Sequence, residues 1–206
     1  MITTQVRVSE GDIDHEIFDI ALAAETIGCD IETTGLDWAS DEIGTFQLAV
    51  GNHVVVVRPR GSRPELLSEL LRRPEVSKVF HHAVFDLRFV RAQWGVVPRS
   101  VKCTKIAAKI MRPGHDAEDY SLRSLLSTEL GVHIDKSERL SDWTSTLSAD
   151  QVMYAANDVV HLAQLWRRLL STSPSREKRD LLDRSLEYLA TRVELDLVGS
   201  GDVFAY

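Results

Sequence analysis

A chain of 206 residues with 44% hydrophobic and 27% charged side chains is ordinary globular material, and one domain over 1–206 with one sizeable core is the expectation. Its formal net charge of −7 argues against a protein that coats nucleic acid non-specifically, because such binding is driven by Lys and Arg neutralising phosphates; an enzyme with a local basic rim stays open. No basic N-terminal region precedes an apolar core and no apolar run approaches the roughly 18 residues of a membrane span, so a cytoplasmic protein without membrane attachment is expected, with Cys29 and Cys103 as reduced core residues.

Residues 3–8 alternate weakly and suit an edge strand, and 17–24 have helical apolar spacing that leads into the run CDIETTGLDW. The β-rich runs 43–50 and 53–57 flank Gly51-Asn52, a turn pair of hairpin length, so three adjacent and mostly antiparallel strands follow. A helix is expected over 64–73, opened by Pro64 and stopped by Pro74, then a strand over 77–82. The next helix, 84–94, closes at Gly95 and places Asp86 in its first turn. The second half reads as helices over 104–111, 121–130, 149–170 and 176 to about 192, followed by an extended tail; 113–114 and 171–175 punctuate it. The fold class is therefore α/β, a mixed β-sheet with covering helices, with a C-terminal helix and tail over 176–206.

Asp30 and Glu32 stand two apart in a strand and face the same side, where two carboxylates repel each other and call for a positive charge between them. Taken alone, the pair also fits an acidic strand end running into the Gly35 turn. Tyr154 and Asp158, four apart on a helix, share one face, and Asp86 sits at a strand-to-helix junction. Each again has a plainer meaning, as first-turn charge or as an amphipathic edge. Together they supply four carboxylates and a phenol without a Cys or His ligand pattern, a donor set that suits Mg²⁺ or Mn²⁺.

Three stretches carry a resemblance: DIETTGL at 30–36, FHHAVFDLRFV at 80–90 and YAANDVVHL at 154–162, with KSERLSDW at 136–143 before the third. In order and spacing they are similar to the DEDD-type 3′ to 5′ exonucleases of the ribonuclease D-like family, tyrosine branch, over roughly 28–170. The resemblance implies a ribonuclease H-like mixed β-sheet flanked by helices, two divalent cations (Mg²⁺ or Mn²⁺), and hydrolysis of phosphodiesters from the 3′ end of single-stranded nucleic acid. It implies Asp30, Glu32, Asp86 and Asp158 as metal carboxylates and Tyr154 as the group that positions the attacking water. A phenol with an ordinary pKa of about 10 is a poor base at neutral pH, so orientation comes before proton transfer. The same motifs imply substrate contacts from Thr33, Leu36, His82 and Phe85.

The chain departs from the family pattern at His82, where many relatives carry Asn, and at Cys103-Thr104, where they carry Asp-Thr. His82 therefore remains open between a nucleotide contact and a satisfied strand-end histidine. The stretch CTKIAAK at 103–109 resembles short stand-alone relatives that act on very short RNA, and the sequence stops near 206 without the helical domains that follow in full-length ribonuclease D. Short RNA is the expected substrate, with single-stranded DNA and a non-catalytic nucleic-acid-binding module as alternatives. A degenerate binding module would be expected to lose acids, and all four are present. Lys105, Lys109, Arg112, Arg123, Lys136 and Arg139 read as solvated helix faces or as the lining of a phosphate-facing groove, Trp143 as core or lid, and the tail from 193 as a segment that docks on its own domain or on a second subunit of a homo-oligomer.

Overall fold

β-branched and aliphatic runs make the strands β1 (Gln5–Glu10), β2 (Thr26–Thr33), β3 (Ile43–Val50), β4 (His53–Arg58), β5 (Ser77–Phe80) and β6 (Val101–Cys103). The computed structural model describes residues 4–134, 141–171 and 175–205. The strand order is β1-β4-β3-β2-β5-β6. β2, β3 and β4 pair antiparallel as the hairpin turn at Gly51 (φ 57°) dictates, while β1, β5 and β6 each lie parallel to their neighbours. The mixed sheet expected from the sequence is present. β1 lies two residues later than 3–8, and β5 stops at Phe80 instead of reaching 82, because His82 takes a left-handed φ of 63° that no strand accommodates.

Among the described residues eight α-helices cover the sheet: α1 (His15–Ala23), α2 (Glu65–Arg72), α3 (Val84–Trp94), α4 (Thr104–Met111), α5 (Leu122–Leu130), α6 (Ala149–Val160), α7 (Leu162–Leu170) and α8 (Arg176–Leu197). The helix expected over 149–170 is two. At His161 the backbone leaves the regular ladder, and α6 and α7 each bury their own stripe, small in α6 (Ala155, Ala156, Val159) and leucine-rich in α7 (Leu162, Leu165, Leu169). α8 runs to Leu197, so the first five residues of the expected tail are helical. Val193 is buried there, and Arg88 and Arg91 of α3 pair with Asp196 and Glu194 at 2.5 Å each, fastening the last turns of α8 to α3.

The two faces of the sheet differ in what they bury. Ile27, Cys29 and Ile31 of β2 point into the main core with Phe46, Leu48, Val55 and Val57; both cysteines are buried and free. The alternate residues of β2, Gly28, Asp30 and Glu32, face α6. At Gly28 the helix rests on the strand itself, for a Cβ built there would lie 2.5 Å from the Val159 carbonyl oxygen. Backbone cannot swing aside as a side chain can.

Gly28→Ala should therefore destabilise the protein by about 1–3 kcal/mol, seen as a drop in Tm on the order of 2–10 °C. Without the contact, alanine in a strand would be neutral or stabilising. An unchanged or higher Tm would show that α6 can lift away at no cost.

Candidate active site

Strand, helix junction and helix each bring acids to one place. Asp30 and Glu32 occupy the α6 face of β2, and a register shift between Glu32 and Thr33 leaves Gly44 of β3 unpaired, where the strands begin to splay. Asp158 projects from α6 toward the same point, and carboxylate oxygens of Asp30, Glu32 and Asp158 lie within 4.8 Å of one another. Asp86, in the first turn of α3 and 2% exposed, hydrogen-bonds with the Asp30 side chain and accepts from the Ile31 backbone. Tyr154, one turn before Asp158, completes the group, its ring tilted against Trp143 at 6.0 Å between centroids. Trp143 is 1% exposed and belongs to the core.

These side chains line a cleft of about 230 Å³ that also holds His82 and Phe85. Thr33 and Leu36 do not line it. Thr33 donates its hydroxyl to the Gly35 carbonyl, and Leu36 stands 79% exposed on the loop beyond β2. Five lining residues were absent from the sequence-derived site: Ile31, His81, Leu122, Arg123 and Ile134. His81 is adjacent to His82 in its motif, and its Nδ1 lies 2.8 Å from Thr104 Oγ1. Arg123 was one of six scattered cations, and only the packing of α5 against the cleft singles it out. Arg112 instead pairs with the buried Glu129, and Lys136, Arg139 and most of KSERLSDW lie outside the described residues. Hollows of about 560 Å³ beside Trp38 and about 410 Å³ between α3 and α8 share no residue with the acidic cleft.

The electrostatics are those of crowded acids. Burial first, and then the charges of Asp86, Asp158 and Glu32, push the Asp30 carboxyl well above the usual range; burial does the same to Asp86, against hydrogen bonds that pull it back. On the rim, burial followed by Lys105, Arg88 and Lys109 holds the His82 imidazole below its ordinary value. The all-oxygen donor set and the raised carboxyls fit a hard divalent cation, which would be held by Asp30, Glu32 and Asp158 with Asp86 beside Asp30.

A family model described as 3′-5′ exonuclease matches residues 7–172. The chain belongs to this family. Its DEDD-type, ribonuclease D-like character agrees with its relatives: ribonuclease D of Gluconacetobacter diazotrophicus is 36% identical over 152 residues, 72% of this chain and 38% of that protein. The match thus spans less than half the length of that relative. Brucella melitensis NrnC bound to pGG matches with a TM-score of 0.88 at 29% identity, over 99% of this chain and 100% of that one. Brucella melitensis NrnC with bound Mg²⁺ matches at 0.87 and 29%, over 98% and 100%. The sheet and its helices are the ribonuclease H-like fold of these exonucleases.

Carboxyls raised above their ordinary value of 3.8 favour folding while protonated, so their contribution is complete below about pH 4 and is lost as pH rises through the raised values. In EDTA, melting curves from pH 5 to 8 should show Tm falling more steeply for the wild type than for Asp30→Asn, and Mg²⁺ should raise Tm more at pH 8 than at pH 5. Equal slopes for the two proteins, with no response to Mg²⁺, would remove the cation site.

Proposed function

We propose that the chain is a single-domain 3′ to 5′ exoribonuclease that uses two divalent cations, Mg²⁺ or Mn²⁺, to shorten very short RNA in the cytoplasm. The observation that supports this most is the convergence of Asp30, Glu32, Asp86, Asp158 and Tyr154, drawn from β2, α3 and α6, on one open cleft. In this reading the four carboxylates hold the cations, and Tyr154 orients the attacking water toward the terminal phosphodiester. Divalent ions, when bound, supply charge stabilisation of the attacking and leaving oxygens and lower the pKa of a bound water. His82 and Phe85 lie where a terminal nucleotide would meet the wall of the cleft, Phe85 offering a ring for a base to stack on.

Short substrates follow from scale and charge. A net charge of −7 provides a poor grip on long polymer, and Arg123 in the cleft lining, with Lys105 and Lys109 whose charges reach His82, suffices for a few phosphates. The pGG-bound Brucella protein supports an RNA of this size. Free, buried Cys29 and Cys103 agree with a reducing compartment.

Dinucleotide, seven-nucleotide and twenty-four-nucleotide RNA and DNA, labelled at the 5′ end, should be shortened one residue at a time, fastest for the shortest RNA, with Mg²⁺ or Mn²⁺ and not with EDTA. Asp30→Asn should abolish turnover. Tyr154→Phe should lower kcat on the order of 10² while substrate binding survives, the size typical of a positioned water-orienting or proton-handling group. Internal cuts in a circular strand, or wild-type turnover by Asp30→Asn, would refute the assignment.

A further inference from the structure

Arg58 ends β4 on the face that Val54 and Val56 turn toward α6, and it is 4% exposed. It lies outside the acidic cleft, yet a charge is buried there, which ordinarily costs several kcal/mol unless its donors are well used. One use is modest: Nη1 donates to Glu10 Oε1 at 2.7 Å, but Glu10 is half-exposed, and such a pair is weak. The other is specific. Nη2 donates to the backbone carbonyls of Thr144, at 3.1 Å, and of Ser145, so one guanidinium grips two consecutive carbonyls of the segment entering α6.

That segment carries Trp143 and leads into the helix that carries Tyr154. Trp143 packs with Val56, Ala155 and Tyr154, and it sits so close to Gly44 that a Cβ there would come within 2.6 Å of its own. The segment is also tied to α6, since Gln151 donates to the Asp142 carbonyl at 2.9 Å and forms a capping box with Ser148. An indole wedged between a strand backbone and the Tyr154 ring can fix that ring only while its own main chain is held.

We propose that Arg58 is a positioning residue for Tyr154, acting through the Thr144 and Ser145 carbonyls and the Trp143 ring. This rests on the proposed role of Tyr154. A loosened ring leaves metal and substrate contacts intact and misplaces a hydroxyl, and misplacements of about 1 Å can cost on the order of 10² in rate.

The test is a double-mutant cycle on the full-length protein with Mg²⁺ and a short RNA. Arg58→Met should lower kcat about tenfold or more with KM and the Mg²⁺ dependence unchanged, and Arg58→Lys, which keeps a donor for the carbonyls, should recover part of the loss. In the Tyr154→Phe background Arg58→Met should cost less than about twofold, because the hydroxyl it positions is gone. Glu10→Gln should stay within about twofold of wild type. Should Arg58→Met fail to fold, Trp143→Phe carries the same cycle with Tyr154→Phe. Tyr154→Phe with wild-type kcat would overturn the proposed function itself. A slow Tyr154→Phe on which the Arg58 or Trp143 losses multiply in full would overturn this inference alone.

Discussion

The acidic cleft exists because a helix lies directly on a strand at Gly28. Carboxylates repel, and nothing in their own chemistry brings Asp158 to Asp30; the approach is imposed by α6 settling until the Val159 carbonyl occupies the space a side chain would have filled. The small buried stripe of α6, Ala155, Ala156 and Val159, allows the same closeness from the helix side. Apolar burial across this contact offsets the electrostatic cost of the acids. The remaining acid arrives by a different route, for the turn at His82 brings the chain into α3 with Asp86 already facing Asp30.

Charge is distributed by layer. A chain with an overall excess of acids concentrates five groups, four carboxylates and a phenol, in one cleft, and sets Lys105 and Lys109 near His82 on the rim. A phosphate approaching the cleft passes these rim lysines, while the net charge of −7 gives no long-range attraction.

Much of this was legible from residue spacing. The period of two fixed Asp30 and Glu32 on one face, the interval of four fixed Tyr154 and Asp158, and Gly51-Asn52 fixed the antiparallel centre of the sheet. Where the structure differs, long-range packing decides. Helical periodicity runs through His161 without a breaker residue, so the division into α6 and α7 comes from what each half rests on. β6 is three residues long and exists by pairing with β5. The end of α8 is set by ion pairs to α3, more than 100 residues away in sequence. Thr33 and Leu36 sit in the first motif yet follow the register shift at Glu32, which turns them off the cleft, and His81 and Arg123 enter it through tertiary packing alone.

The interruption at His161 has a further effect on the cleft. A helix accumulates a partial negative charge over its last, unbonded carbonyls, and the effect fades within about a turn. Because α6 stops at Val160, that end falls beside Asp158; in a helix continued to Leu170 it would lie some 15 Å further on, at about 1.5 Å per residue. The last carbonyls of α6 thus add negative potential beside Asp158, whereas Asp86 lies in the electropositive first turn of α3. The potential in the cleft is set by where helices end and begin as well as by which side chains they carry.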